Sequence, residues 1–254
     1  METTAPTSAA GDPLVRRTDR DGVAIIELNR PERKNALVPP MLDELAEAVD
    51  AASSDPNVRV LMLCGAGGAF CSGLDLKEYN ADPPPPWLAT GAASVRAAHV
   101  ALGACPHPIV VALERYAING GAAFALAGDL IVTGTTAWLQ IAEVRLGMNA
   151  PMNLAWLVAR YPMSTVLQIV LTGERLHSPD LHRLGLAYEV VDDDAVRDRA
   201  EELAITIAGF PPGAAQRLKS SALRLAEESA PLSSDWFARA AELAPAAAPP
   251  PRSP

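Results

Sequence analysis

Short apolar runs that are rich in β-branched residues recur along the chain, with polar or charged segments between them. The clearest is Val23–Leu28, VAIIEL, whose valine and isoleucines predict a buried strand. Further runs of the same character predict strands over residues 58–63, 108–113, 130–133 and 188–191.

Between these runs, apolar residues return at helical spacing. Residues 41–52 predict an amphipathic helix, because apolar side chains recur on one face while Asp43, Glu44 and Glu47 face water. Comparable patterns predict helices over residues 73–79, 87–103, 120–127, 151–159, 164–171, 179–184, 194–208, 213–228 and 232–243. Strands that alternate with helices predict an α/β layered fold.

The two ends of the chain lack these patterns. Residues 1–13 are small and polar, which predicts a flexible tail, and residues 244–254 are rich in proline and alanine, which predicts a disordered one. Four consecutive prolines within residues 81–86 exclude a helix interior and predict a surface loop. Between the tails we expect a core domain over residues 14–193 and a helical C-terminal region over residues 194–243.

Composition narrows the classes of partner. The chain has 254 residues, is 49% hydrophobic and carries a formal net charge of −9, so it lacks the basic surface that nucleic-acid binding requires. No apolar run approaches a membrane span, and the first residues do not resemble a signal peptide. The three cysteines fit a reducing compartment, which favours a cytoplasmic protein. Neither they nor the four histidines have metal-ligand spacing, so no metal or redox cofactor is expected.

Two stretches carry candidate chemistry. In YAINGGAAFALAGD (residues 116–129), a Gly-Gly pair starts an apolar helix, and the first N–H groups of a helix lack intrahelical partners and can hold a developing oxyanion. In LQIAEVRLGMNAP (residues 139–151), Glu143 is a carboxylate in an apolar setting. Burial would raise its pKa and make it a useful proton shuttle. Taken singly, the glycines could serve packing and Glu143 could be a surface residue; together they predict chemistry next to a carbonyl group.

Five segments in series resemble the crotonase, or enoyl-CoA hydratase/isomerase, superfamily. They are LNRPERKNAL (28–37), VRVLMLCGAGGAFCSGLDLK (58–77), YAINGGAAFALAGD (116–129), LQIAEVRLG (139–147) and LTGERLHSPDLHRLGLAYEVV (171–191). The resemblance implies a spiral of ββα units and a helical C-terminal region that assembles a homotrimer or a dimer of trimers. It also implies an acyl-CoA substrate, in which coenzyme A is part of the substrate rather than a separate cofactor.

The resemblance also assigns roles to individual residues. The backbone N–H groups of Leu74 and Gly120 correspond to the family's oxyanion hole, and Glu143 corresponds to its catalytic glutamate. Contacts with coenzyme A fall to Arg33, Ala36, Ser72, Asp75, Leu76 and Lys77.

Among these contacts, Lys77 and either Arg33 or Lys34 would supply positive charge for the phosphates. Ala36 and Leu76 would line the adenine or pantetheine path with their backbones. Asp75 is expected to fix its loop through backbone N–H groups.

Two positions depart from the family pattern. The family's second glutamate lies three residues after the oxyanion glycine, where this chain has Ala123, and a glycine that helps to seat water is replaced by Pro151. Family hydratases hold water with two carboxylates, whereas a double-bond shift needs one, so the sequence favours a double-bond shift over hydration. The alternatives are a catalytically weak acyl-CoA binding protein and a true hydratase in which another acid, such as Glu114, substitutes.

Overall fold

The computed structural model describes residues 11–226 and 234–242. The predicted tail over residues 244–254 and the first ten residues of the tail over residues 1–13 lie outside them. Residues 227–233 and 243 of the predicted helical region also lie outside.

Two sheets organise the described residues. Their strands are β1 (Val15–Arg20), β2 (Val23–Leu28), β3 (Val60–Gly65), β4 (Ile109–Leu113), β5 (Tyr116–Ile118), β6 (Leu130–Gly134), β7 (Trp138–Gln140), β8 (Arg175–His177) and β9 (Glu189–Val191). The main sheet has the order β1-β2-β3-β4-β6-β9, with β1 and β2 antiparallel and the other neighbours parallel. The small sheet has the order β5-β7-β8.

Helices connect and cover the sheets. They are α1 (Pro39–Ser54), α2 (Leu76–Tyr79), α3 (Gly91–Ala104), α4 (Gly120–Ala125), α5 (Pro151–Arg160), α6 (Met163–Thr172), α7 (Ser178–Arg183), α8 (Val196–Ala208), α9 (Ala214–Ala226) and α10 (Ser234–Glu242). The last three form the predicted C-terminal helical region.

The chain repeats one pattern as it moves across the main sheet. β4 continues into β5 and α4, and β6 continues into β7 and α5, so each repeat adds one strand to each sheet before a helix. The segment after β3 takes the equivalent place, because Cys71 forms a parallel bridge with Ala117 of β5. This stack of ββα units confirms the α/β prediction and brings loops from successive repeats side by side.

The two faces of the main sheet enter separate apolar cores. In β2, Ala24, Ile26 and Leu28 belong to the core shared with α1, α4 and α5. Val23 and Ile25 point the other way and join the core beneath α8. Because both faces are covered, the strands read as continuous apolar runs rather than alternating ones.

The hydrophobic pattern missed β1, β5, β7 and β8. β1 is a mostly exposed edge strand with the polar sequence VRRTDR. The other three are three residues long and, unlike the equally short β9, contain at most one β-branched residue, so no apolar run marks them. The helix predicted over residues 87–103 is shorter than expected, because Pro86–Thr90 form a 3-10 turn and α3 begins at Gly91.

Candidate active site

The two predicted oxyanion donors end two parallel segments. Cys71 pairs with Ala117 through hydrogen bonds from Cys71 N to Tyr116 O and from Ile118 N to Cys71 O, both 3.1 Å. Leu74 lies three residues beyond one member of this pair, and Gly120 lies three residues beyond the other. Within the described chain, neither Leu74 N–H nor Gly120 N–H donates a hydrogen bond. The register therefore brings two unused backbone donors to the same end of adjacent segments.

Gly73 permits the close contact between these segments. Its φ is +88°, and a Cβ there would lie 2.7 Å from the carbonyl oxygen of Ile118. An L-side chain would therefore meet both an unfavourable backbone conformation and a backbone clash. Glycine at this position is therefore required by the close approach of the two segments.

Asn119 joins the start of α4 to the segment that carries Glu143. Its backbone N–H donates to Gln140 O at 2.7 Å, and its Oδ1 accepts from Ala142 N at 2.8 Å. The residue has φ +49° and ψ −113°, a conformation outside the left-handed helical region that residues other than glycine rarely adopt. These bonds hold the residue before Gly120 against the residue before Glu143.

Glu143 opens a 3-10 turn and is 9% exposed. Burial raises its pKa to about 7, although its own backbone N–H and a hydrogen bond from Asn153 act in the opposite direction. Asn153 Nδ2 donates to Glu143 Oε1 at 3.1 Å, while Oε2 is buried and has no partner within the described chain. Glu143 is therefore an acid that can both accept and release a proton near neutral pH.

Asn153, in the first turn of α5, was not among the residues predicted from the sequence. It is 2% exposed and lies on the buried face of the helix with Met152, Ala155 and Trp156. The available signal was an asparagine on the apolar face of a predicted helix, because a buried amide requires partners.

A cleft of about 310 Å³ lies beside Leu74. It brings together seven residues named from the sequence and Glu32; the seven are Arg33, its alternative Lys34, Ala36, Ser72, Leu74, Asp75 and Leu76. Lys77 is exposed and is not part of the lining, and neither are Gly120 and Glu143.

Asp75 organises one wall of this cleft. It is 3% exposed, accepts from Glu78 N at 3.2 Å to cap α2, and forms a two-pronged ion pair with Arg33 at 2.7 and 3.1 Å. Burial would raise its pKa, but the Arg33 hydrogen bond, the Glu78 N–H and the charges of Arg33 and Arg30 together hold it below the ordinary value. Asp75 thus fixes its loop as expected, and it also orients Arg33.

The two positions that the resemblance marks as departures, Ala123 and Pro151, both lie in helices. Ala123 is fully buried in α4 beside Phe124, whose ring stacks on His99 with centroids 4.3 Å apart. Pro151 is the first residue of α5, where its missing N–H costs no intrahelical hydrogen bond.

Glu114 lies apart from Glu143. It follows β4, and the charges that act on it are Arg197 of α8, Glu27 of β2 and Arg115. Burial raises its pKa, Arg197 and Arg115 lower it, and Glu27 raises it. Glu114 therefore belongs to the side of the main sheet covered by α8, whereas Glu143 lies with α4 and α5.

The described residues offer neither a metal site nor a membrane-spanning helix. Among residues 11–226 and 234–242, no group of three or more histidine, cysteine, aspartate and glutamate side chains could hold a metal ion. The helices of the same ranges include none that is long and apolar enough to cross a bilayer.

Comparisons with known structures support the architecture. The fold superimposes on an enoyl-CoA hydratase from Mycobacterium avium subsp. paratuberculosis K-10 with a TM-score of 0.78, covering 93% of this chain and 89% of that one at 24% identity, which shows the fold alone. It also superimposes on an enoyl-CoA hydratase/carnithine racemase from Magnetospirillum magneticum with a TM-score of 0.74, at 28% identity over 84% of this chain and 80% of that one.

Sequence comparisons identify the family. The enoyl-CoA hydratase/isomerase family profile matches residues 18–236. A 1,2-epoxyphenylacetyl-CoA isomerase from Escherichia coli (strain K12) is 33% identical over 75% of this chain and 74% of its own length. An (E)-benzylidenesuccinyl-CoA hydratase from Thauera aromatica is 35% identical over 79% of this chain and 78% of its own length. The chain therefore belongs to the enoyl-CoA hydratase/isomerase family, the crotonase superfamily, and is an enzyme with that family's fold.

Proposed function

We propose that this enzyme shifts a carbon–carbon double bond in an enoyl-CoA thioester, with Glu143 as its single acid/base. The observation that carries the proposal is the environment of Glu143, a buried carboxylate with a pKa of about 7 and one oxygen that has no partner among the described residues. By the resemblance, the family's second glutamate corresponds to Ala123, which is buried in the core. One carboxylate is sufficient to move a proton between two carbons of the same substrate.

The proposed reaction begins with a 3-enoyl thioester. Glu143 takes a proton from C2, and the electron pair spreads over the thioester carbonyl and the C3–C4 double bond. The backbone N–H groups of Leu74 and Gly120 stabilise the charge on the thioester oxygen, and one such donor is worth roughly 3–4 kcal/mol. Glu143 then returns the proton to C4, which leaves a 2-enoyl thioester with the same atoms.

The cleft beside Leu74 would hold part of the coenzyme A moiety. Arg33 and Lys34 are the cations of its lining, which also contains the carboxylates of Glu32 and Asp75. Asp75 keeps the Arg33 guanidinium in place without removing it from the cleft, since the Arg33 side chain is 34% exposed. The phosphate contact of Lys77, the trimeric assembly and the cytoplasmic location stay predictions.

The proposal is tested with purified protein and matched 3-enoyl and 2-enoyl thioesters. We expect interconversion of the two without formation of a 3-hydroxyacyl product. Glu143→Gln should lower kcat about 10²- to 10⁴-fold and leave the affinity for a non-reactive acyl-CoA nearly unchanged, because the amide keeps the shape but cannot transfer a proton. If neither the wild type nor Glu143→Gln turns over while both bind ligand equally well, the protein is an acyl-CoA binding protein and the proposal is wrong.

Hydration is the second candidate, and the 35% identity to a hydratase favours it. Rapid conversion of a 2-enoyl thioester to a 3-hydroxyacyl thioester, with oxygen taken from labelled water, would establish hydration in place of the double-bond shift. That result would require a group other than the residue at position 123 to help hold the water.

A further inference from the structure

Asn153 is the buried polar residue in contact with Glu143 to which no role has yet been assigned. Its Nδ2 donates two hydrogen bonds, one to Glu143 Oε1 and one to the backbone oxygen of Asn119, both 3.1 Å. With 2% exposure it has almost no contact with solvent, so these bonds hold its amide in a single orientation.

The orientation of this amide follows from its partners. The Asn119 carbonyl can only accept a hydrogen bond, so the NH₂ group rather than Oδ1 must face it. The same NH₂ group then holds Glu143 Oε1. Since Oε2 has no partner in the described chain, the two oxygens of the carboxylate are made unequal by their surroundings.

The contact with Asn119 extends this arrangement to the oxyanion side of the site. Asn119 immediately precedes Gly120, and its own side chain accepts from Ala142 N, next to Glu143. Two asparagines therefore connect Glu143 to the start of α4. Asn119 binds the backbone N–H of Ala142, just before Glu143, and Asn153 binds the Glu143 carboxylate.

We propose that Asn153 is a positioning residue for proton transfer: it fixes Glu143 through Oε1, relative to the Gly120 N–H, and leaves Oε2 to meet the substrate. The inference rests on the proposed function of Glu143. The pKa of the Glu143 carboxyl is set by burial, by a hydrogen bond from its own N–H and by the hydrogen bond from Asn153. No charged side chain of the described chain contributes to it. A change at position 153 therefore has a direct route to the protonation of Glu143.

The experiment measures kcat/KM against pH for the double-bond shift. In the wild type, kcat/KM should rise as Glu143 loses its proton, near pH 7. Asn153→Leu keeps the approximate shape but removes the donor to the charged carboxylate, so the acid limb should move upward by about one pH unit. At pH values below both acid limbs, kcat/KM of the variant should be about tenfold lower than that of the wild type. At high pH, where Glu143 is ionised in both proteins, this difference should shrink.

Asn153→Asp provides a second variant of nearly the same shape. It places a second carboxyl group beside Glu143, and two such groups resist ionising together, so the acid limb should move further upward than in Asn153→Leu. Asn57→Ala is the control, because Asn57 lies in an exposed turn with Asp55 and should leave the profile unchanged. Thermal unfolding of each variant shows whether it is folded under assay conditions.

The possible outcomes separate the inference from the function beneath it. An upward shift of the acid limb in both variants supports the positioning role. A loss of the same factor at every pH, with the limb unmoved, would mean that Asn153 has only a structural role and overturns the inference. If Glu143→Gln is as active as the wild type, the proposed function itself fails, whatever the variants at position 153 show.

Discussion

Gly73→Ala tests whether the Leu74 N–H serves as an oxyanion donor. The new Cβ would lie 2.7 Å from Ile118 O, so one of the two parallel segments must move. Because Leu74 follows directly, the shift misaligns its N–H relative to that of Gly120. Loss of one oxyanion donor costs about 10²–10³ in kcat, and we expect a loss of that order.

The same substitution also affects stability, and this effect must be separated from the effect on catalysis. Placing alanine at a positive φ costs roughly 1–2 kcal/mol of folding free energy before the clash is counted. Gly68→Ala provides a matched control: Gly68 has φ +71°, and a Cβ there would meet nothing within 4 Å. It carries the conformational cost without moving Leu74.

The assay compares kcat on a 3-enoyl thioester with the free energy of unfolding for both variants. Both should lose stability, with the larger loss in Gly73→Ala, while Gly68→Ala should retain its kcat. A folded Gly73→Ala enzyme with the wild-type kcat would refute the role of the Leu74 N–H. An equal loss of kcat in both variants would show that backbone strain, rather than donor placement, limits the reaction.

Two further substitutions test the other parts of the site. Glu114→Gln should leave kcat unchanged, because Glu114 lies with Arg197 and Glu27 on the side of the main sheet away from Glu143; a loss of 10² or more would identify it as the substitute acid of a hydratase. Arg33→Ala should raise KM for the acyl-CoA about tenfold at similar kcat, because a charged contact in the cleft is lost; an unchanged KM would place the phosphates elsewhere, and Lys77→Ala measured in parallel tests the exposed alternative.

Much of the fold could be predicted because the main strands are buried on both faces. Apolar runs such as Val23–Leu28 and Leu130–Gly134 are set by local composition, and the sequence locates them to within a residue or two. The small sheet could not be found in this way. Its strands are three residues long, and they form because successive repeats stack, which is a property of the assembled chain rather than of any one window.

In the candidate site, too, features set by the local sequence could be predicted and features set by long-range contacts could not. Glu143 and the glycines could be identified because each stands out locally, as a charge among apolar residues or as a Gly-Gly pair before a helix. The roles of Asn119 and Asn153 depend on contacts across 34 residues of sequence, between Asn153 Nδ2 and Asn119 O. The ion pair between Asp75 and Arg33 likewise joins residues 42 positions apart. Both residues were assigned to coenzyme A from the sequence, and only the structure reveals that they also bind each other.

The pairing of Cys71 with Ala117 has a consequence for how this site tolerates sequence change. Both N–H groups lie three residues beyond that bridge, one on each segment, so their alignment depends on the length of each segment as well as on the glycine at position 73. Leucine at position 74 keeps the same backbone N–H that any other residue except proline would have there. A single deletion between positions 71 and 74, or between 117 and 120, would instead shorten one segment relative to the other and separate the two backbone N–H groups.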